Sequence, residues 1–130
     1  MIVKSYLTNL MSEEKNMSLD IYLSEVQRTI TFSVNITHNL AKMADAVPVS
    51  EQGFSLYQCL WAPEQMKITK ASQLIPFLTE ALAYIQSHKA ELIEHTPANG
   101  WGSIDNLFET TNSYRLACMK SPEAEIEISR

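Results

Sequence analysis

The sequence predicts an α+β two-layer sandwich. A small, mainly antiparallel sheet of three or four strands, formed by an N-terminal hairpin and a C-terminal strand, is covered on one face by about four helices. Three observations carry this. Segments near both ends of the chain alternate apolar and polar residues with the period of a strand. The stretch between them repeats apolar residues at helical spacing, punctuated by Pro48, Gly53, Pro63 and Pro122. The second face of each strand is polar, so one helical layer suffices and the other face is expected to meet solvent or a partner.

The elements follow in chain order. Residues 1–18 read as an N-terminal extension, weakly ordered or forming a short edge strand. Ile2, Lys4 and Tyr6 there alternate with Val3, Ser5 and Leu7. Residues 19–130 form one domain, long enough for a real core. Leu19, Ile21 and Leu23 alternate with Asp20, Tyr22 and Ser24, which predicts a half-buried strand. The strand over 28–36 sets Ile30, Phe32, Val34 and Ile36 against Thr29, Thr31, Ser33 and Asn35. The short connection through Val26, Gln27 and Arg28 makes the pair an antiparallel hairpin.

The period then changes to that of a helix through Ile36, Leu40, Met43, Ala44 and Val47, with Thr37 or Asn35 as its cap. Pro48 closes it. FSLYQCLW (54–61) gives one or two further turns, and the longest helix is expected from Thr69 to about Ile93. Pro76 inside it predicts a kink or a late start. TPANGWG (96–102) is a loop, and Ser103 caps a last helix whose inner face is Leu107, Phe108, Thr111, Tyr114 and Cys118. Pro122 ends that helix. Ala124, Ile126 and Ile128 then alternate with Glu125, Glu127 and Ser129 in a one-sided final strand.

Composition excludes several function classes. Hydrophobic residues make up 45% of the chain and charged residues 19%, so a packed globule is expected rather than disorder. A net charge of −5 argues against a DNA- or RNA-binding protein, which needs a basic stripe to neutralise phosphates. No apolar run approaches the ~20 residues of a membrane span. Cys59 and Cys118 are two lone thiols in apolar helical contexts, which fits a cytoplasmic location. No cofactor fingerprint, phosphate-binding loop or nucleophile-elbow motif occurs. His88 and His95 stand seven apart on one expected helix face, with Glu91 and Glu94 between them. That spacing lacks the compact i,i+4 clamp, and neither cysteine has a C-x-x-C partner, so no metal site is expected.

The candidate site begins at NITHN, where Asn35, Thr37, His38 and Asn39 crowd a strand-to-helix junction. Amide, hydroxyl and imidazole groups at a helix start, beside free backbone N–H groups, suit a phosphate or carboxylate. A folding role is open for each residue as well: Thr37 as cap, Asn35 as a tie to a loop, His38 as an exposed side chain. The second feature is Asn99, Gly100, Trp101 and Gly102, again leading into a helix start. There the glycines permit close backbone approach and Trp101 offers a stacking platform, or else simply closes the core. Trp61 reads as core or interface. Arg28, Arg115 and Arg130 are the arginines. Arg130 is read either as the group that neutralises an anion or as a free tail.

NITHNLAKMADAV, a following LW-x-P, ITKASQLI-P, NGWG and a terminal EIEISR together resemble a family of small uncharacterised phage- and prophage-encoded proteins. The resemblance spans residues 20–130 and extends to motif order. Its positions here are Asn35, Thr37, His38, Asn39, Trp61, Asn99, Gly100, Trp101, Gly102, Ser129 and Arg130. The resemblance implies an accessory, cytoplasmic protein and carries no activity with it.

Three functional expectations follow. The first is a non-catalytic binding protein, such as a counter-defence protein that sequesters a small anionic or nucleotide-like molecule at Asn35, Thr37, His38, Asn39, Asn99, Gly100, Trp101, Gly102 and Arg130. The second is an interaction module that engages a host protein through an acidic strand face of Glu123, Glu125 and Glu127. The third is a hydrolase or lyase with His38 as general base, oriented by Asp45 or Asp105. Exposed sheet edges also suit a homodimer.

Overall fold

The computed structural model describes residues 18–25, 30–97 and 102–130. The expected extension over 1–17 lies outside them, as do Arg28 and Asn99, Gly100 and Trp101. Strand β1 (Ser18–Ser24) pairs antiparallel with β2 (Ile30–Thr37), and β3 (Glu125–Ser129) pairs antiparallel with β1 on its other side. The sheet order is therefore β2-β1-β3. The first strand of the hairpin is central, and the final strand returns beside it.

Register explains which residues enter the core. Ile21 pairs with Val34 and Ile128, and Leu23 with Phe32 and Ile126. These rows form one apolar face, and the helices cover it. The opposite face carries the rows Asn35–Asp20–Ser129 and Ser33–Tyr22–Glu127. The sequence leads one to expect that this polar face is open to solvent or a partner. The structure corrects this at its centre: Ser18, Asp20, Tyr22, Ser24, Glu127 and Ser129 are all buried. Glu127 therefore does not join Glu123 and Glu125 on an exposed acidic face.

Between β2 and β3 the chain is helical. A 3₁₀ turn (His38–Leu40) runs into α1 (Ala41–Asp45), which buries Met43 and Ala44. Helix α2 (Leu56–Trp61) starts at a complete capping box. The Ser55 hydroxyl accepts from Tyr57 N–H, and Gln58 Oε1 accepts from Ser55 N–H at 2.7 Å. Helix α3 (Ala71–Ser87) starts before Pro76 rather than after it. Its first orphan donors are met by the approach to β3, since Ala71 N–H bonds to Ala124 C=O and Ser72 N–H to Pro122 C=O, both at 2.9 Å. Pro76 is exposed and lies inside the helix, where it lacks the N–H that would bond the carbonyl one turn back.

The long helix does not reach Ile93. It breaks at His88, whose backbone (φ −123°, ψ 25°) is not helical, and a short α4 (Lys89–Leu92) and a 3₁₀ turn (Ile93–His95) follow. The Ser87 hydroxyl bonds back to the Ala83 and Tyr84 carbonyls, and the His88 ring stacks on Tyr84 at 3.9 Å. These local bonds compete with continuation of the helix, and the turn brings Leu92 into the core. His88 and His95 therefore do not share a helix face. Helix α5 (Ile104–Lys120) is capped by Ser103, whose hydroxyl accepts from Asn106 N–H at 3.1 Å. It packs along α3 and against β2, where Tyr114 stacks on Phe32. Among the described residues no helix is long and apolar enough to cross a membrane. Cys59 and Cys118 are buried free thiols, each pushed up to about 12 by desolvation.

Candidate functional site

The site is built where β2 gives way to α1. Thr37 keeps extended backbone (φ −65°, ψ 137°), and its hydroxyl accepts from Asn39 N–H at 3.3 Å and from the Asn39 amide at 3.0 Å. Thr37 is the cap, as its position at the change of period implied. Asn35 is not part of the same cluster. Its side chain lies on the polar face of the sheet and donates to Ser18 Oγ and Asp20 Oδ1, each at 2.8 Å. It ties β2 to β1.

His38 is held rather than merely exposed. The Trp61 indole N–H donates to His38 Nδ1 at 2.8 Å. An indole nitrogen only donates, so Nδ1 must be the accepting nitrogen and the neutral ring carries its proton on Nε2. Trp61 is 2% exposed and stacks on Tyr57 at 5.3 Å, which fixes the donor. Neither carboxylate expected to orient His38 reaches it. Asp45 accepts from the Ser55 hydroxyl, and Asp105 pairs with Lys89 at 3.0 Å.

Trp61 is also the link to the end of the chain. Arg130 Nη1 donates to the Trp61 carbonyl and, at 3.0 Å, to Glu64 Oε2. Arg130 is thus no free tail: it pairs with Glu64 at the surface. Half exposed, it holds the α2 end and lines a separate cleft of about 400 Å³ with Glu64, Lys70 and Glu125, away from His38 and Asn39. Gly102 approaches from the third side. Its φ is +132°, and a Cβ there would lie 2.8 Å from Leu40 Cδ2 and 3.6 Å from Thr37 Cγ2. A glycine is needed for both reasons: an L side chain is strained at that φ, and the junction leaves it no room.

His38 and Asn39 then line a cleft of about 620 Å³ with Lys42, Glu94, His95, Thr96 and Pro97. Sequence reasoning missed Lys42 and His95. The Lys42 signal was available, because a residue four after His38 shares its helical face. His95 arrives only through the break at His88, which no glycine or proline announces. The lining brings the His38 and His95 imidazoles and the Lys42 ammonium together, while the Asn39 amide is already given to Thr37. One carboxylate, Glu94, shares the lining. Among the described residues no group of three or more His, Cys, Asp or Glu is placed to hold a metal. A larger groove of about 660 Å³ lies elsewhere, along α3 between Pro48–Glu51 and His88, and holds none of the NITHN residues. No family model, no curated protein and no solved structure matches this chain.

Proposed function

We propose that this protein is a non-catalytic binding protein for a small anionic, nucleotide-like molecule, taken up in the cleft of His38, Asn39, Lys42 and His95. The observation that carries the reading is the fixed His38 ring. Trp61 occupies Nδ1, so the ring's remaining polar group is a preorganised N–H donor beside the Lys42 ammonium. Preorganised donors next to a cation are what recognition of a phosphate or carboxylate requires. The cleft volume falls within the ~300–1,000 Å³ range of small-molecule sites. The same tautomer counts against His38 as general base, since neither ring nitrogen has a free lone pair for a substrate proton. The phage-like motif pattern fits sequestration of such a molecule in an accessory role.

Ligand-release mass spectrometry tests the reading. Protein purified without added nucleotide is denatured and the small molecules set free are identified. A released phosphate- or carboxylate-bearing compound is expected, and it should raise the melting temperature of the wild type but not of Lys42→Ala or His95→Ala. If no compound is released and no member of a nucleotide panel shifts the melting temperature, the cleft is structural.

A further inference from the structure

The sheet has two outer edges, and the fold treats them differently. On β3, Ile126 N–H donates to Thr69 C=O at 3.0 Å, and Lys70 bridges to Glu125. That edge is covered at its start by another part of the chain. The same bond fixes which way each backbone points. Ile126 faces away from β1, so its partner Leu23 faces β2, as does Ile21 two positions away. Phe32 and Val34, opposite them, face β1 in turn. This leaves Ser33 and Asn35 with their N–H and C=O groups on the outer edge of β2. Both residues are exposed, and among the described residues no main-chain bond outside the hairpin reaches β2.

An open edge is a template for another strand unless charge, proline or a bulge blunts it. β2 reads ITFSVNIT, with neither charge nor proline. Its one irregularity, where Ser24 pairs with Ile30, lies at its start and leaves the pairing from Phe32 to Thr37 regular. A net charge of −5 makes the whole molecule repel a second copy, so an uncharged strand is where two copies can meet. β3, by contrast, carries the exposed Glu125.

We propose that β2 is the seam of a homodimer, in which two copies pair antiparallel about a two-fold axis at Val34. Ser33 of each copy then lies opposite Asn35 of the other, and every outward N–H and C=O of both residues is satisfied. Val34 meets Val34 of the second copy as a close pair without hydrogen bonds on the helix-covered face, and Phe32 lies opposite Ile36. Phe32 and Val34 are only half-buried in one copy, so the seam removes further apolar surface from water. Because β2 is uncharged, no like charges meet along it. The two three-stranded sheets become one continuous sheet. The seam is independent of the cleft at His38.

Light scattering on the eluting full chain reads the mass, and amide hydrogen exchange reads the seam. At about 100 µM, a hundredfold above a micromolar Kd, the wild type is expected at twice the 14.7 kDa of one chain. Ser33→Pro removes an outward N–H that no bond within the chain uses. It should keep the wild-type circular dichroism and weaken association on the order of a hundredfold. Ser33→Lys should do the same by setting two ammonium groups diagonally across the seam, with association recovering as salt screens them. Glu125→Lys on β3 should leave the dimer intact. In the wild type the Ser33 and Asn35 amides should exchange slowly, and in Ser33→Lys fast. A monomeric wild type overturns the proposal and leaves the edge to a different partner. A dimer that both Ser33 variants leave intact, or one that only Glu125→Lys breaks, overturns it too. So do Ser33 and Asn35 amides that exchange equally fast in the wild type and in Ser33→Lys. Should Ser33→Pro fail to fold, Ser33→Lys gives the decision.

Discussion

The strand-to-helix junction and the polar face of the sheet are built from similar side chains and treat them oppositely. At the junction, Thr37, His38 and Asn39 each make a hydrogen bond within the protein. On the sheet face, Asp20, Ser24 and Glu127 keep buried oxygens with none. A polar group satisfied from within fixes geometry, whereas one left unsatisfied asks for something from outside. Polarity crowded into a short stretch of sequence is therefore a poor guide to which of the two is present. Asn35, two residues before Thr37 but on the sheet face, shows the difference: one of its partners, Ser18, is a hydroxyl, and the other, Asp20, keeps an oxygen without a partner.

The comparison breaks most sharply at Trp61, which organises the junction from inside the core. Trp61→Ala is expected to cost about 3–5 kcal/mol of stability, read by urea unfolding, because it empties a core site and removes the donor to His38. Trp61→Phe should cost less and free the His38 ring while keeping most of the packing. A loss below about 1 kcal/mol for the alanine variant would mean that the indole is not the organiser.

Gly102→Ala comes next, at about 1–3 kcal/mol. It combines a φ of +132° with the 2.8 Å approach to Leu40. Wild-type stability in that variant would show that the loop does not press on the junction. Asn35→Ala should cost about 1–2 kcal/mol, since it unties β2 from β1 and strips Asp20 of its remaining internal partner. Thr37→Ala should cost about 1 kcal/mol for a lost cap. An Asn35→Ala effect smaller than that of Thr37→Ala would erase the distinction between the two regions.

The core adds a dependence on alkaline pH. The ordinary thiol value is 9.0, and burial raises Cys59 and Cys118 to about 12. Unfolded thiols therefore lose their protons at lower pH than folded ones. Their contribution to stability is fully present below pH 9 and is lost as pH rises from 9 towards 12, at no more than about 1.4 kcal/mol per pH unit for each thiol. Urea unfolding between pH 8 and 11 reads this, and Cys59→Ala should flatten the decline.

Much of the architecture could be read from periodicity. Ile30, Phe32 and Val34 alternate as β2 requires, and Leu74, Leu78, Leu82 and Ile85 trace the buried stripe of α3. Thr37 and Ser103 stood where helices had to start. Alternation says that the two faces of a strand differ, but not that both are covered, so Glu127 was read as exposed. The break at His88 coincides with a serine hydroxyl bonded back to its own helix and a ring stack, neither of which is a breaker by composition. In the site, His38 and Asn39 were legible as excess polarity at a junction. The bond from Trp61 spans 23 positions, and His95 comes from a different element, so the partners that give His38 its tautomer and its cleft were not legible.

The proposed anion site rests on His38 as a fixed N–H donor. Long-range proton–nitrogen correlation spectra of the histidine rings, recorded before and during titration with a nucleoside monophosphate, address it most directly. The expected spectrum shows His38 protonated on Nε2 and a hydrogen-bonded Trp61 indole, with the His38 and His95 signals moving together on titration. A proton on Nδ1 of neutral His38, or ring signals that stay in place at saturating nucleotide, would contradict the account.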